Sequence, residues 1–597
     1  MIKGFCLSLD YGVIGNCRTV ALVKRDTSID WLCLPRFDSP SIFSRLLDDE
    51  SGSSFKIIPV GEYEIKQAYI ENTNVIKTTF FNSEAEFDVI DYFPYYNKGN
   101  VILRNSEVHR ILIRKRGSPI VRILINPKME YGKYAPNKTI EGNKLSFSYK
   151  ATNVYIYSDL GLKELSESSE ISLPEKSYVL LAYNKLKYST NINYIMKEME
   201  NTVDYWRSWS DKVKGSKKYR LINVRSALVL RLLTYEDTGA IVAAGTTSIP
   251  EIKGSVRNWD YRYSWVRDSS FTVQALIRLG LIQSAYDFVK WLNMIYAEHG
   301  VSLQALFKVN GSDYISESTL SNLKGYGGSK PIRIGNEAYK QRQVDIIGEL
   351  LNSLYLFYLK HNASPELGEI SWDLIYGFVE TAIKEWTEKD HSIWEFRGTN
   401  KHYTFSKVMC WVAVDRGIKI ARRLGYSDVI GRWSKARDEI KASVMKRGWN
   451  SKMHAFTQYY GSNNLDASLL LMPAFGIISW RDKKMLSTIE AIGRDLVRGP
   501  FVMRYTSKDE FGMPKSAFIA CSFWFIDALY HTGKKKEALN MFKHIILFQN
   551  HMGLLSEDIN TDTQELLGNF PQAYSHIAMI NTITNLFKVK KKNDKPV

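Results

Sequence analysis

The spacing of apolar residues differs between the first third of the chain and the rest. Over residues 1–190, short apolar segments alternate with turn residues and no helical period intervenes. Many short strands without interleaved helices are typical of an antiparallel β-sandwich. We therefore predict an N-terminal β-sandwich domain over residues 1–190, with strands at 20–23, 29–34, 54–59, 63–70, 75–81, 121–125 and 178–183.

From about residue 218 the apolar positions recur with the helical period of 3.6 residues. A helical linker over 191–217 precedes this part, a helical catalytic domain is expected over 218–590, and a basic tail over 591–597. The pattern predicts twelve helices, at 218–236, 269–280, 283–298, 343–361, 371–388, 404–424, 428–446, 463–472, 483–494, 516–532, 535–548 and 571–588.

The connections between these predicted helices alternate between short and long. If the helices form antiparallel hairpins, every long link emerges at the same end of the bundle. Six hairpins closed into a ring would give an (α/α)6 toroid with one functional rim. The predicted fold is therefore mainly α with an N-terminal β domain, and its long links are 237–268, 299–342, 389–403, 447–462, 495–515 and 549–570.

Composition supports a two-domain globular protein. The chain has 597 residues, of which 45% are hydrophobic and 24% charged, values typical of soluble proteins. No run approaches the roughly 18 apolar residues of a membrane span, and the first ten residues lack the apolar core of a secretory signal. We therefore predict a cytoplasmic protein without a membrane partner.

Neither the net charge nor the cysteine content indicates a nucleic-acid partner, a metal or another cofactor. The formal net charge is +17, but the basic residues are spread along the chain, and the densest run is at 588–592. A solvated surface and a tail explain this better than a nucleic-acid partner. The five cysteines show no CxxC or zinc spacing, which favours free thiols. Neither a metal nor another cofactor is predicted.

The motifs whose side chains are suited to catalysis or ligand binding fall in the predicted long links. Aromatic, guanidinium and carboxylate groups crowd residues 258–268, and further motifs occupy 323–336, 394–395, 456–462, 503–505 and the loop around Glu557. Residues that serve only the hydrophobic core would be distributed over the whole helical domain and would not be confined to the long links. The concentration of these motifs in the long links predicts a pocket at one end of the barrel.

Two glutamates in these links indicate hydrolysis of a glycosidic bond, in which one acid protonates the leaving oxygen and one base activates water. Glu395 follows Trp394, and an indole beside a carboxyl disfavours the charged form, as a general acid requires. Glu557 suits a base that stays ionised beside water. Two plainer alternatives remain open, namely a Glu395 that only stabilises a helix dipole and a Glu557 that is a solvated loop acid.

The pair Arg267-Asp268 has two interpretations. It could be a surface ion pair, but next to Tyr261 and Trp265 it suits a sugar site, because aromatic faces stack on a pyranose and Arg-Asp pairs bind vicinal hydroxyls. The glycine-rich link at 323–336 matches no phosphate-binding loop. His402 and His576 are interpreted as structural.

The chain resembles glycoside hydrolase family fifteen, the glucoamylase-like inverting exo-α-glucosidases, along nearly its whole length. The resemblance is carried by residues 10–19, 30–40, 257–268, 331–336, 394–395 and 568–572. It implies that Glu395 is the catalytic acid and Glu557 the base. It also implies the substrate-binding residues Tyr261, Trp265, Arg267, Asp268, Trp394 and Arg504. Asp558 departs from the fungal glucoamylases, which have glutamine at that position.

The resemblance also implies a reaction. An α-glucoside would be cleaved from its non-reducing end with release of β-glucose, and the two carboxyl groups would lie roughly 6.5–9.5 Å apart. The motifs at 10–12, 394–398 and 402–407 resemble the trehalase-type branch more than starch-acting members, so α,α-trehalose is the first expected substrate. A glucoamylase acting on maltooligosaccharides is the alternative. A disaccharide phosphorylase and a non-catalytic carbohydrate-binding protein complete the possibilities, and a homo-oligomer remains open.

Overall fold

A computed structural model describes residues 9–50, 53–301, 304–360 and 372–587. Its N-terminal part is an antiparallel β-sandwich, as predicted. The strands are β1 Tyr11–Gly15, β2 Val20–Lys24, β3 Ile29–Cys33, β4 Ser41–Phe43, β5 Phe55–Pro59, β6 Glu64–Tyr69, β7 Ile76–Phe81, β8 Glu86–Tyr92, β9 Tyr96–Lys98, β10 Val101–Leu103, β11 Glu107–Arg116, β12 Ile120–Ile125, β13 Asn137–Glu141, β14 Lys144–Tyr149, β15 Thr152–Ser158, β16 Glu170–Ser172 and β17 Lys176–Ala182. The seven-stranded sheet has the order β1-β2-β3-β5-β12-β16, with β4 paired to β3, and the eight-stranded sheet has the order β13-β14-β15-β17-β11-β8-β7-β6.

One long helix joins the sandwich to the helical domain. Two short helices, α1 (Met129–Gly132) and α2 (Leu162–Glu167), interrupt the strands, and α3 (Ile192–Asp211) follows the last strand. The side chain of Asn191 caps α3 by accepting from the backbone N–H of Tyr194. Trp206 on α3 is buried and stacks on Tyr95 at a ring distance of 5.1 Å. The predicted helical linker is therefore packed against the sandwich.

The remaining helices form two concentric rings. The helices are α4 Arg220–Leu232, α5 Val266–Arg278, α6 Ile282–His299, α7 Asp345–Lys360, α8 Trp372–Glu385, α9 Thr404–Leu424, α10 Ile430–Arg447, α11 Met472–Phe475, α12 Lys483–Asp495, α13 Ile519–His531, α14 Lys535–Ile545 and α15 Ala573–Leu586. Helices α5, α7, α9, α11, α13 and α15 follow one another around the inner ring, and α15 closes it against α5. Buried residues fill α5 and most of α9, because these inner helices are covered on both sides.

The eighth predicted helix differs from the expectation. Residues 463–472 are not one α-helix; a 3-10 helix over Ala467–Leu471 leads into the four-residue α11. Asp466 caps the 3-10 helix through the backbone N–H of Ser468 at 2.8 Å. Pro473 stands in the first turn of α11, and Gly476 ends it with a φ of 89°. A proline start and a left-handed glycine stop leave room for one turn only.

The long links lie between α4 and α5, α6 and α7, α8 and α9, α10 and α11, α12 and α13, and α14 and α15. Because each leads from an outer to an inner helix, all six emerge on one rim, as predicted. These links contain short strands at Ser264–Trp265, Leu306–Phe307, Ser318–Leu320, Ile332–Ile334, Trp449–Asn450, Ala455–Phe456, Val497–Arg498, Phe501–Val502, Ser516–Phe518, Asp558–Asn560 and Leu566–Leu567.

The β-sandwich is fastened to the last of these links. Asn550 is buried, and its Nδ2 donates to the backbone carbonyls of Leu9 at 3.0 Å and Tyr11 at 2.7 Å. Its Oδ1 accepts from the backbone N–H groups of Met552 and Leu554, both at 3.0 Å. One side chain thus satisfies four backbone groups of two domains.

The predictions about the cysteines, the basic tail and membrane spans can be compared with the described residues only. Cys17, Cys33, Cys410 and Cys521 are free and buried, whereas Cys6 and the basic tail lie outside the described residues. Within the described ranges, no helix is long and apolar enough to cross a membrane.

Candidate active site

A cavity opens on the rim where the long links meet. It encloses about 900 Å³ of empty space, part of it open to solvent. All eight residues predicted for the site line it: Tyr261, Trp265, Arg267, Asp268, Trp394, Glu395, Arg504 and Glu557. Five of the six links contribute lining residues; among the described residues, the link that contains the motif at 456–462 contributes none.

Glu395 is held by N–H donors on a single carboxyl oxygen. Its Oε1 accepts from Trp265 Nε1 at 2.7 Å, Arg267 Nη2 at 2.9 Å and Gln343 Nε2 at 3.2 Å. No hydrogen bond to its Oε2 occurs among the described residues, and the side chain is 22% exposed. One oxygen is therefore fixed by the protein while the other faces the cavity.

The backbone of Glu395 has a left-handed conformation, with a φ of 57°. Such a φ is uncommon for residues other than glycine and occurs where surrounding contacts enforce it. Here the N–H of Glu395 donates to the carbonyl of Ser392 at 3.1 Å, and its carbonyl accepts from Gln341 Nε2 at 3.1 Å. Glu395 precedes α9 by nine residues. The interpretation as a helix-dipole glutamate is therefore wrong.

Although Trp394 is adjacent to Glu395 in the sequence, its indole N–H does not donate to the Glu395 carboxyl. Trp394 Nε1 donates to Asp466 instead, at 3.0 Å from each carboxyl oxygen. Its ring packs edge-on against Phe518, with centroids 5.8 Å apart. The indole that contacts the Glu395 carboxyl belongs to Trp265, because the toroid brings α5 and the third link together. Trp394 still lines the cavity.

Arg267 connects Glu395 to a buried polar cluster. Its Nη1 donates to Gln343 Oε1 at 2.8 Å and to Asp345 Oδ2 at 3.2 Å, while Nη2 reaches Glu395. Asp268 is a looser neighbour, 3.8 Å from Arg267 Nε. Arg267 and Asp268 are only 5% and 7% exposed, so a surface ion pair is excluded. Burial raises the pKa of Asp268 to about 7, although Arg267 opposes the shift.

Glu557 lies deeper than an exposed loop acid would, with 2% exposure, so that alternative is wrong. Its Oε1 accepts from the Tyr261 hydroxyl at 2.7 Å, and its Oε2 from the backbone N–H of Asn569 at 3.3 Å. A Cβ on Gly568 would stand 2.6 Å from the Glu557 Cβ, and Gly568 has a φ of 75°. Only glycine fits this contact and this conformation.

A second cluster surrounds Glu557. Carboxyl oxygens of Glu251, Glu557 and Asp558 lie within 4.8 Å of one another. Arg504 forms an ion pair with Glu251, which brings positive charge to this cluster. The pKa of Glu557 is raised, mainly by burial and further by the negative charges of Asp558 and Glu251. Burial also raises the pKa of Asp558 to about 7. These three carboxylates could hold a cation, although Arg504 already neutralises part of their charge.

Two family models match the chain. The model for glycosyl hydrolases family 15 matches residues 217–584, and a model described as trehalase-like, N-terminal, matches residues 10–159. The chain belongs to glycosyl hydrolases family 15. The resemblance predicted from the sequence is confirmed, and the protein is a glycoside hydrolase.

Relatives of this family 15 hydrolase match across both domains. The trehalase of Thermoplasma volcanium is 33% identical, over 98% of this chain and 94% of its own. That of Thermoplasma acidophilum is 34% identical, over 95% and 98%, and that of Mycolicibacterium smegmatis 33%, over 98% and 92%. A crystal structure of bacterial glucoamylase complexed with acarbose superimposes with a TM-score of 0.73 at 13% identity, covering 97% of this chain and 94% of that one. This likeness confirms the fold.

Four residues that line the cavity of the family 15 hydrolase or contact its lining were not predicted from the sequence. Two of them, Glu251 and Gln341, line the cavity and lie within the predicted first and second links. The other two, Gln343 and Asp345, accept from Arg267 and lie just after the predicted second link. Gln341, Gln343 and Asp345 are polar residues just before or at the start of the inner helix α7, and this position was their only signal in the sequence. Glu251 lies far from both neighbouring helices, and only its place in the first link pointed to it.

Proposed function

We propose that this glycoside hydrolase cleaves α,α-trehalose with inversion, with Glu395 as general acid and Glu557 as general base. The observation that carries the proposal is the match to relatives named trehalase over nearly the whole length of both domains. The cavity adds independent support, because it is lined by both glutamates and by the aromatic residues that suit a sugar.

The contacts of Glu395 suit a proton donor. Trp265, Arg267 and Gln343 all donate to Oε1, so the proton of the acid form belongs on Oε2, which faces the cavity. From there it passes to the glycosidic oxygen as the bond to the reacting glucose breaks. When Glu395 is left as the carboxylate, Arg267 stabilises the new charge.

The contacts of Glu557 suit a base. The Tyr261 hydroxyl and the Asn569 N–H orient its two oxygens, and a water between Glu557 and the anomeric carbon would lose its proton to the carboxylate. A raised pKa makes Glu557 a stronger base than a solvent-exposed glutamate. Water then attacks the ring face opposite the leaving oxygen, in a single displacement.

An assay of glucose release tests the substrate. The purified full-length protein is incubated with trehalose, maltose, isomaltose or soluble starch, with and without inorganic phosphate. We expect the highest kcat/KM on trehalose and release that does not depend on phosphate. A preference for maltose or starch would favour the glucoamylase alternative. Formation of glucose 1-phosphate would favour a phosphorylase, and no turnover of any substrate would favour a binding protein.

The proposed substrate also fits the predicted compartment. Trehalose is a small soluble disaccharide, so a cytoplasmic enzyme could reach it. We therefore keep the cytoplasmic location as part of the proposal, with fractionation of the native cells as its test.

A further inference from the structure

We propose that Arg397 is a specificity-determining residue that binds the second glucose, the ring that leaves. This inference rests on the proposed function, because it concerns the half of the disaccharide that is not attacked. It comes from the outer end of the cavity, where Arg397, Trp259, Glu510 and Phe511 form the lining.

Burial distinguishes an inner from an outer end of the cavity. Asp268 and Tyr574 at the inner end are 7% and 6% exposed. At the outer end the Arg397 side chain is 26% exposed, and Glu510 is exposed to solvent. An enzyme that attacks the terminal ring must take that ring into the closed end, so the second ring occupies the open end.

Arg397 is fixed in place before any sugar binds. Its Nη1 and Nη2 donate to the two carboxyl oxygens of Glu317 at 3.2 and 2.7 Å. Its guanidinium carbon lies 4.4 Å from the ring centroid of Trp259 and 6.0 Å from that of Phe511. A guanidinium has five N–H groups, and Glu317 takes two of them. Among the described residues the other three N–H groups have no hydrogen-bond acceptor, so they can donate to sugar hydroxyls without reorganisation of the side chain.

The link between α12 and α13 forms the adjoining part of the mouth. Phe511 packs edge-on against Trp259 at a ring distance of 5.1 Å. Asp509, two residues earlier, accepts from the Tyr505 hydroxyl at 2.6 Å and pairs with Arg257. A Cβ on Gly398 would stand 1.9 Å from Oε1 of Glu510, so the two links meet closely at the mouth.

These contacts describe a partly aromatic mouth in which Arg397 is an oriented, partly exposed cation. Arg397 also follows Glu395 by two residues, so a ring bound by Arg397 is held next to the proposed proton donor. Binding there would place the glycosidic oxygen for protonation. Loss of Arg397 should therefore impair disaccharides but spare a substrate that has no second ring.

α-D-Glucosyl fluoride is such a substrate. We would measure kcat/KM for trehalose and for glucosyl fluoride with the wild-type protein, Arg397→Gln and Arg397→Lys. Arg432→Gln is the matched control, because Arg432 forms the same two-contact pair with Glu380, both contacts at 2.6 Å, on the exposed outer surface. Melting temperatures of all variants verify folding, and Arg397→Lys keeps a cation for Glu317 should the glutamine variant be unstable.

We expect Arg397→Gln to lower kcat/KM for trehalose by about 10- to 100-fold, the effect of losing hydrogen bonds from a charged donor. The change for glucosyl fluoride should stay within about twofold, and Arg397→Lys should be intermediate. An equal fall for both substrates, or no fall for trehalose, would overturn the inference. A different result would contradict the proposed function itself: the wild-type protein would then cleave glucosyl fluoride but not trehalose.

Discussion

The hydroxyl of Tyr261 donates a 2.7 Å hydrogen bond to Glu557, although 296 residues separate them in the chain. Four residues after Tyr261, Trp265 donates to Glu395 at the same distance, 2.7 Å. The rings of Tyr261 and Trp265 are themselves in edge-on contact, with centroids 5.4 Å apart. The link between α4 and α5 therefore orients both glutamates and fixes their relative position.

Removing either carboxylate should abolish most turnover without unfolding the protein. Glu395→Gln and Glu557→Gln each keep the size of the side chain but remove proton transfer, which is typically worth about 10²–10⁴ in rate. Steady-state kcat on the preferred α-glucoside measures the effect. Glu490→Gln, an exposed acid on α12, serves as control. Near-wild-type turnover of either variant would show that its role is misassigned.

Arg267→Ala should damage both stability and chemistry. It leaves the buried Asp345 without its cation, a change that typically costs about 3–5 kcal/mol, and it frees Glu395 from one of its three donors. Differential scanning calorimetry and kcat together test this. The comparison is Arg278→Ala, an exposed arginine at the other end of α5. Unchanged kcat in a folded Arg267→Ala protein would refute the proposed support of Glu395.

The pH profile should depend on Asp558. After burial, the charge of Asp558 is the largest cause that raises the pKa of Glu557. A base works ionised, so activity falls as the pH drops through its pKa. Asp558→Asn removes one neighbouring negative charge and therefore lowers the pKa of Glu557. The acid limb of the kcat/KM profile should move to lower pH.

Asp562→Asn, an exposed acid on the same link, should leave that limb in place. A limb that stays fixed in folded Asp558→Asn, or moves to higher pH, would contradict either the cluster electrostatics or the role of Glu557.

Asn550→Ala should destabilise the junction of the two domains. The variant leaves the backbone carbonyls of Leu9 and Tyr11 and two backbone N–H groups of the last link without their partner, at a cost of about 1–3 kcal/mol for each unsatisfied group. Thermal unfolding should shift to lower temperature, and kcat should fall because the same link carries Glu557. Replacing the exposed Asn310 by alanine provides the reference, and equal melting temperatures for the two variants would argue against this fastening.

The first product should be β-glucose. Water activated by Glu557 attacks the face opposite the leaving group, so the attacked ring inverts. From trehalose, one β- and one α-glucose should form together, since the leaving ring keeps its configuration. Proton NMR in the first turnovers, before mutarotation, distinguishes the anomers. Exclusive formation of α-glucose would mean retention, and the proposed roles of Glu395 and Glu557 would then have to be withdrawn.

Much of the fold was predictable because it follows from local pattern. Inner and outer helices repeat their apolar residues at the helical period, so the predicted span 404–424 coincides with α9 and the predicted 483–494 differs from α12 by one residue. The prediction of the eighth helix was wrong because Ala467–Leu471, capped by Asp466, forms a 3-10 helix, and Gly476 ends the α-helix that follows after one turn. Its exact length depends on capping residues rather than on period.

By itself the sequence determined the two-domain architecture, the family and the set of links that carry the chemistry, since periodicity, turn residues and short motifs are local properties. It also singled out Glu395 and Glu557. Only the tertiary structure decided that Trp265 rather than Trp394 hydrogen-bonds Glu395, that Asp345 and Gln343 hold Arg267, and that Glu251 adjoins Glu557. These contacts join residues from different links, and closure of the helical ring determines which of them meet.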